Sequence, residues 1–168
     1  DNSFGLGGAA ADNEAAYVVA STGGQRNYRG GAGYDNPFWT VNRNPFNENL
    51  NRVFGNVQAS YQLLNWMSVV YRLGADAYSQ DSKNFYDIKS NAFPAGKGII
   101  NEYYNNQYNS DLTLNMQKKF SSDLSGSLLL GQNYFYNISH SRTTIGDGLI
   151  APKYFDISNA TSYSASEA

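Results

Sequence analysis

Arg52-Val53-Phe54-Gly55-Asn56-Val57-Gln58-Ala59-Ser60-Tyr61-Gln62-Leu63-Leu64-Asn65-Trp66-Met67-Ser68-Val69-Val70-Tyr71-Arg72-Leu73-Gly74-Ala75-Asp76-Ala77-Tyr78-Ser79 decides the fold. In its first half Val53, Gly55, Val57, Ala59, Tyr61 and Leu63 alternate with Phe54, Asn56, Gln58, Ser60 and Gln62. In its second half Val69, Tyr71, Leu73, Ala75 and Ala77 alternate with Ser68, Val70, Arg72, Gly74 and Asp76. A period of two means strand, because successive side chains of an extended chain point to opposite faces. The Leu63-Leu64-Asn65-Trp66 junction leaves room only for a tight turn, so the two runs form a hairpin.

The same alternation returns later. Tyr108, Ser110, Leu112, Leu114 and Met116 oppose Asn109, Asp111, Thr113, Asn115 and Gln117. After a short polar turn, Lys118 to Asp123, Leu124, Gly126, Leu128 and Leu130 oppose Ser125, Ser127, Leu129 and Asn133, with Leu129 breaking the rule. This run continues through Tyr134-Phe135-Tyr136 and loses its pattern near His140. The expected organisation is a long loop region over 1–51, a first hairpin over 52–79, a loop over 80–101, a second hairpin over 102–139 and a loop over 140–168. In the first loop, Gly5-Leu6-Gly7-Gly8, Gly23-Gly24 and Gly30-Gly31-Ala32-Gly33 are breakers, and Ala9 to Tyr17 has the composition of a short helix.

Composition excludes several classes. The 168 residues contain no Cys and one His, so disulfides, thiolate metal sites, cysteine nucleophiles and histidine-rich metal centres are ruled out. The net charge is -2 and Lys118-Lys119 is the one basic pair, which leaves no clustered surface for nucleic acid. There is no apolar run of transmembrane-helix length. Mean hydropathy below zero is compatible with spanning strands, which alternate apolar and polar residues. Asp1-Asn2-Ser3-Phe4-Gly5 has neither the basic start nor the apolar stretch of a signal peptide, as expected if one was removed or if the chain is an interior piece.

Two all-β architectures fit this pattern. One is a soluble sandwich, in which the apolar face packs on a second sheet. The other is an antiparallel transmembrane β-barrel, and it is favoured by the alternation of long loops with short turns. Strand runs of about 10–12 residues match the length that crosses a bilayer at a tilt. Tyr61, Trp66 and Phe120 gather at the short-turn end; Tyr78, Tyr104, Tyr134 and Tyr136 lie toward the long-loop end, as girdles do. Four strands cannot close, because open edges would leave backbone groups unpaired in lipid. The expectation is therefore a fragment of a larger barrel.

Asn36-Pro37-Phe38-Trp39-Thr40 and Asn42-Arg43-Asn44-Pro45-Phe46, followed by Arg52, Gly55, Trp66, Gly74 and Asp76, resemble the SusC/RagA-type TonB-linked outer-membrane transporters. The segment from Gly148 to Asn159 is similar to a later loop of that family. The resemblance touches about two thirds of the chain and implies a barrel of about 22 strands around a plug. It also implies a multi-pass location in the bacterial outer membrane and uptake of an oligosaccharide or peptide. TonB would drive that uptake, with a SusD-like surface lipoprotein as lid. Plug and TonB box are absent from these residues, and the quoted matches do not extend to residues 1–35.

Trp39, with Tyr34, Phe38 and Arg43, is the candidate substrate contact, since aromatic faces stack on sugars and Arg donates to hydroxyls or carbonyls. The alternative is that Pro37-Phe38-Trp39 and Pro45-Phe46 pin a long loop. Arg72, Asp76 and Asp111 would line the lumen if the apolar faces look outward, either along a transport path or within a polar network. Tyr86, Tyr103 and Tyr104 face either a cavity, a partner or solvent. No catalytic, metal or cofactor residue is expected. His140, expected in an exposed loop, has no triad partner nearby, and neither Asp12 with Glu14 nor Asp81 with Asp87 has calcium-loop spacing. Beside the transporter stand two alternatives, a soluble β-sandwich carbohydrate-binding module and a structural subunit of an outer-membrane complex built on such a barrel. A hydrolase has the least support, because no nucleophile and base are paired.

Overall fold

The computed structural model describes residues 14–26, 28 and 33–168. In chain order these form α1 (Glu14–Tyr17), β1 (Val18–Val19), β2 (Gly24–Gln25), α2 (Pro37–Arg43), β3 (Phe46–Leu64), β4 (Met67–Tyr86), β5 (Lys97–Lys119), β6 (Ser125–Leu149), a 3-10 turn (Ile157–Asn159) and β7 (Ala160–Glu167). The protein is all-β in character. β1 and β2 make a two-stranded ribbon; the main sheet has the linear order β3-β4-β5-β6-β7. The main sheet is open, with β3 and β7 as its edge strands, and is mostly antiparallel. β6 and β7 pair from Arg142 with Glu167 to Leu149 with Ala160.

All four expected strands are present, and each is longer than its sequence pattern. β3 starts at Phe46, inside the region expected as loop, and β4 reaches Tyr86. The connection expected over 80–101 shrinks to Asp87–Gly96. β6 carries His140 within a strand, which corrects its placement in a loop. The last segment contributes β7, a strand of small polar residues (Ala-Thr-Ser-Tyr-Ser-Ala-Ser-Glu) whose weak apolar pattern carries no periodicity signal. Ladder hydrogen bonds extend a strand through residues that lack alternation, because they satisfy the backbone whatever the side chains are.

α2 corrects the expectation of irregular chain before Pro45. Asn36 is extended, and its side chain accepts from Phe38 N at 3.0 Å, with Pro37 as the first helical residue. This is the capping chemistry of a helix start, and Asn36-Pro37 is its signal in the sequence. Of the helix expected over Ala9 to Tyr17, Glu14–Tyr17 is helical and the rest lies outside the described residues. Asp12, Gly5-Leu6-Gly7-Gly8 and Gly30-Gly31-Ala32 lie outside them too.

Two compact units divide the chain. One comprises residues up to Asn49 with Gln80–Glu102 and Ser141–Ala168; the other comprises Leu50–Ser79 and Tyr103–His140. The first has a core, built on Tyr17, Val18 and Trp39 with Phe38 against them. Phe85 is buried there beside the Phe155 ring, 6.1 Å between centroids. Gly96, at φ +81°, lies so close to Leu149 that a Cβ would come within 2.7 Å of its Cγ. In the second unit, Asn105 is the one buried residue among those described.

That second unit is a sheet with two chemically distinct faces, as side-chain pairs across neighbouring strands establish. Arg72 donates to Gln58, Arg52 binds Asp76, and Asn133 donates to both Asn109 and Asp111. These pairs put the polar rows of β3, β4, β5 and β6 on one face. Ser110 donates to Tyr71 on the other face, which collects the apolar rows. There Val53, Val57, Tyr61 and Leu63 of β3, Tyr71 and Leu73 of β4, Tyr108 and Leu112 of β5, and Leu128, Leu130, Tyr134 and Tyr136 of β6 are all exposed.

Candidate functional site

The substrate contacts expected at Tyr34, Phe38, Trp39 and Arg43 separate into two kinds. Trp39 is 1% exposed and Arg43 6%, whereas Phe38 is half-buried and Tyr34 is 65% exposed. The enclosed Trp39 ring presents no free face. The Tyr17 ring meets it edge-on with 6.5 Å between centroids, and the Arg43 guanidinium lies 5.1 Å from its centre. Its Nε1 donates to Ser90 Oγ at 2.9 Å. Ser90 Oγ in turn donates to Asn44 Oδ1 at 2.8 Å, and the same oxygen accepts from Asp87 N at 3.1 Å.

Arg43 sits at the last turn of α2, where the helix dipole favours a cation. Its Nη1 donates to Asp87 Oδ2 at 2.8 Å and its Nη2 to Glu14. Asp87 is fully buried, and its Oδ1 also accepts from Ile88 N at 2.9 Å and Lys153 N at 3.1 Å. Two backbone donors and one guanidinium satisfy this carboxylate and hold it in place. Glu14 also binds Lys153 Nζ at 2.8 Å. The Lys153 hydrogen bond, reinforced by the charges of Lys153 and Arg43, holds the Glu14 carboxyl below its ordinary value.

A second set of bonds closes the arrangement. Asn36 N donates to Gln25 Oε1 at 2.8 Å, and Gln25 Nε2 donates to Asp35 Oδ1 at 2.7 Å. The same Asp35 oxygen accepts from Asn91 N at 2.7 Å, and Tyr34 O accepts from the Asn91 amide. Segments 14–26, 33–46 and 87–96, with Lys153, thus form one polar and aromatic lattice. Sequence reasoning singled out Trp39 and Arg43 and quoted Asn44 beside them, but not Ser90, which takes the Trp39 hydrogen bond, nor Gln25, which ties Asn36 to Asp35; neither carries a local signal.

The expected lumen residues Arg72, Asp76 and Asp111 share the polar face of the second unit. Arg52 clasps Asp76 with Nε at 2.9 Å and Nη2 at 2.5 Å, a two-pronged pair. Arg72 holds Gln58, and Asp111 accepts from Asn133 at 2.6 Å and Asn109 at 3.1 Å. Phe54, Leu129 and Phe135 interrupt this face as exposed apolar side chains, and the Arg52 guanidinium lies over the Phe54 ring at 5.3 Å. Tyr103 stacks against Tyr78, 5.5 Å between centroids, and accepts from Asn105 at 3.3 Å. Tyr86 contacts Phe93 at 4.7 Å, and Tyr104 is exposed.

His140 is exposed on β6. Asp81 and Asp87, whose spacing does not fit a calcium loop, have unlike surroundings: Asp81 Oδ1 is buried without a partner, and Asp87 is fully bonded. No group of three or more acidic or histidine side chains is placed to hold a metal among the described residues. No protein-family model matches the chain, and no curated protein matches it.

Proposed function

We propose that the chain supplies spanning strands and loops of an outer-membrane β-barrel of the SusC/RagA-like, TonB-linked kind, which imports an oligosaccharide or peptide beneath a SusD-like lipoprotein. The observation that carries this reading is the uncovered apolar face of the second unit. Val53 is 78% exposed and Val57 73%, in a four-strand face that no core covers among the described residues. A large apolar side chain gains about 1.5–3 kcal/mol on full burial. A dozen such side chains left in water would forfeit on the order of 10 kcal/mol, comparable with the whole net stability of a domain. Lipid outside the sheet relieves that cost, while the paired charges of the opposite face suit a water-filled or plugged interior.

Two further features support the reading. The strands are long enough to cross a bilayer and continue beyond it; β5 has 23 residues and β6 has 25. The open edges at β3 and β7 offer ladder groups to further strands of a larger barrel. Trp39 and Arg43 act in this proposal as the anchor of an external loop lattice, which leaves Tyr34 and the polar face as the parts available to substrate. A soluble sandwich would need a second sheet over the apolar rows, and the main sheet has none among the described residues.

The deciding experiment is the intact mass of the native polypeptide extracted from membranes in detergent. The proposal expects a mass several times that of 168 residues, carried by a detergent-dependent particle with a copurifying lipoprotein. A polypeptide of this length that stays monodisperse after detergent removal overturns it in favour of the sandwich.

A further inference from the structure

We propose that Lys118, framed by Trp66 and Phe120, binds the phosphate of an anionic phospholipid and marks where the hydrocarbon ends at the short-turn side of the sheet. The inference rests on the membrane reading above and adds a specific ligand to it. Lys118 continues the row Leu112, Leu114, Met116 on the apolar face, because every second residue of β5 points the same way. A cation in register with an apolar row is costly inside hydrocarbon and favourable at its rim, where the ammonium reaches headgroups and the stem stays in apolar surroundings.

Its neighbours place that rim. The Lys118 ammonium lies 5.0 Å from the Trp66 ring centre and 6.0 Å from that of Phe120. Trp66 is fixed in the β3–β4 turn, where its carbonyl accepts from Gln117 N at 2.8 Å. Phe120 is fixed by its amide, which donates to Leu124 O at 2.8 Å, and its ring lies against Gly126, where a Cβ would come within 3.2 Å of Cε2. Tryptophan concentrates at membrane interfaces because one end of the indole is apolar and the other polar. Among the described residues neither Lys118 nor Lys119 forms an ion pair, so the charge of Lys118 has no carboxylate to neutralise it. An anionic headgroup above the last apolar turn supplies that partner.

The test is native mass spectrometry of the full protein in detergent, titrated with phosphatidylglycerol or phosphatidylcholine, for wild type, Lys118→Gln, Lys118→Arg and Lys119→Gln. The expected result is tighter retention of phosphatidylglycerol by wild type and Lys118→Arg, and an affinity about fivefold weaker in Lys118→Gln, the worth of one lysine at an anionic surface. Lys119→Gln removes the same charge from the opposite face and is expected to retain the lipid. Equal losses in the two Gln variants overturn the site, as does equal retention of both lipids by wild type. Displacement by millimolar inorganic phosphate overturns the lipid as its source. Protein that stays monodisperse without detergent and retains neither lipid overturns the membrane reading as well, a result distinct from loss of headgroup preference alone.

Discussion

The indole of Trp39 donates to the Ser90 hydroxyl at 2.9 Å across 51 residues of sequence, and both side chains are buried. This bond closes α2 onto the Asp87–Gly96 connection. Trp39→Phe keeps an aromatic ring and deletes the indole N–H, leaving the buried Ser90 oxygen without its donor. The expected loss is about 1–3 kcal/mol of local stability. Limited proteolysis should show faster cleavage within 87–96 in the variant, with the strands of the second unit unaffected.

Arg43 joins Asp87 to Glu14, and its replacement should cost more. Arg43→Met strands a fully buried carboxylate, a change that typically costs about 3–5 kcal/mol. Arg43→Lys is expected to rescue only in part, because an ammonium cannot hold two carboxylates with separate planar donors. Coupling in the double variant Arg43→Met/Asp87→Leu should make its loss smaller than the sum of the single losses. Hydrogen exchange at residues 87–90 measures all three.

The same lattice should loosen in acid. Lys153 and Arg43 hold the Glu14 carboxyl below its ordinary value of 4.5. A carboxyl depressed on folding contributes stability above its unfolded pKa and loses it as pH falls through the folded one. Exchange protection of the loop lattice, corrected for intrinsic rates, should therefore hold above about 4.5 and decline below it. Glu14→Gln should start from weaker protection and lose most of this dependence. Asp156, held low by its hydrogen bonds from Ser158, titrates in the same direction.

Leu128 and Ser127 are neighbours on opposite faces of β6, and both are exposed. If the apolar face meets lipid, Leu128→Arg is destabilising, by less than the about 2–4 kcal/mol of the bilayer midplane because Leu128 lies close to the short turn, and Ser127→Arg costs little. Folded yield in the outer membrane should fall for the first variant alone. Equal yields would instead place Leu128 in water.

Gly96 holds a left-handed backbone with Leu149 packed against it. Gly96→Ala combines a positive φ with a contact of 2.7 Å, and the expected loss is about 1–3 kcal/mol. Thermal melting followed by exchange at Leu149, whose amide donates to Ala95 O, reads this directly.

The legible parts of this protein were local. The alternation in 52–79 and 108–133 marks four strands and sorts their residues between two faces. α2 carries a start signal in Asn36-Pro37, but the expectation for the stretch is irregular chain, because the aromatic run after it reads equally well as an exposed loop. β7 is not legible, because small polar side chains carry no periodicity and its strand state depends on pairing with β6. The candidate site shows the same division. Trp39 and Arg43 stand out by residue type, yet their burial depends on Ser90, Asp87, Glu14 and Lys153, whose approach no local spacing encodes.

The sequence by itself determined the four alternating strands, β3 to β6, and their two-faced chemistry, because a period of two is a property of the extended chain and needs no partner. Only the tertiary structure decided that Trp39 and Arg43 face inward to other loops. Burial and charge pairing arise when segments distant in the chain meet, and that meeting depends on the whole fold.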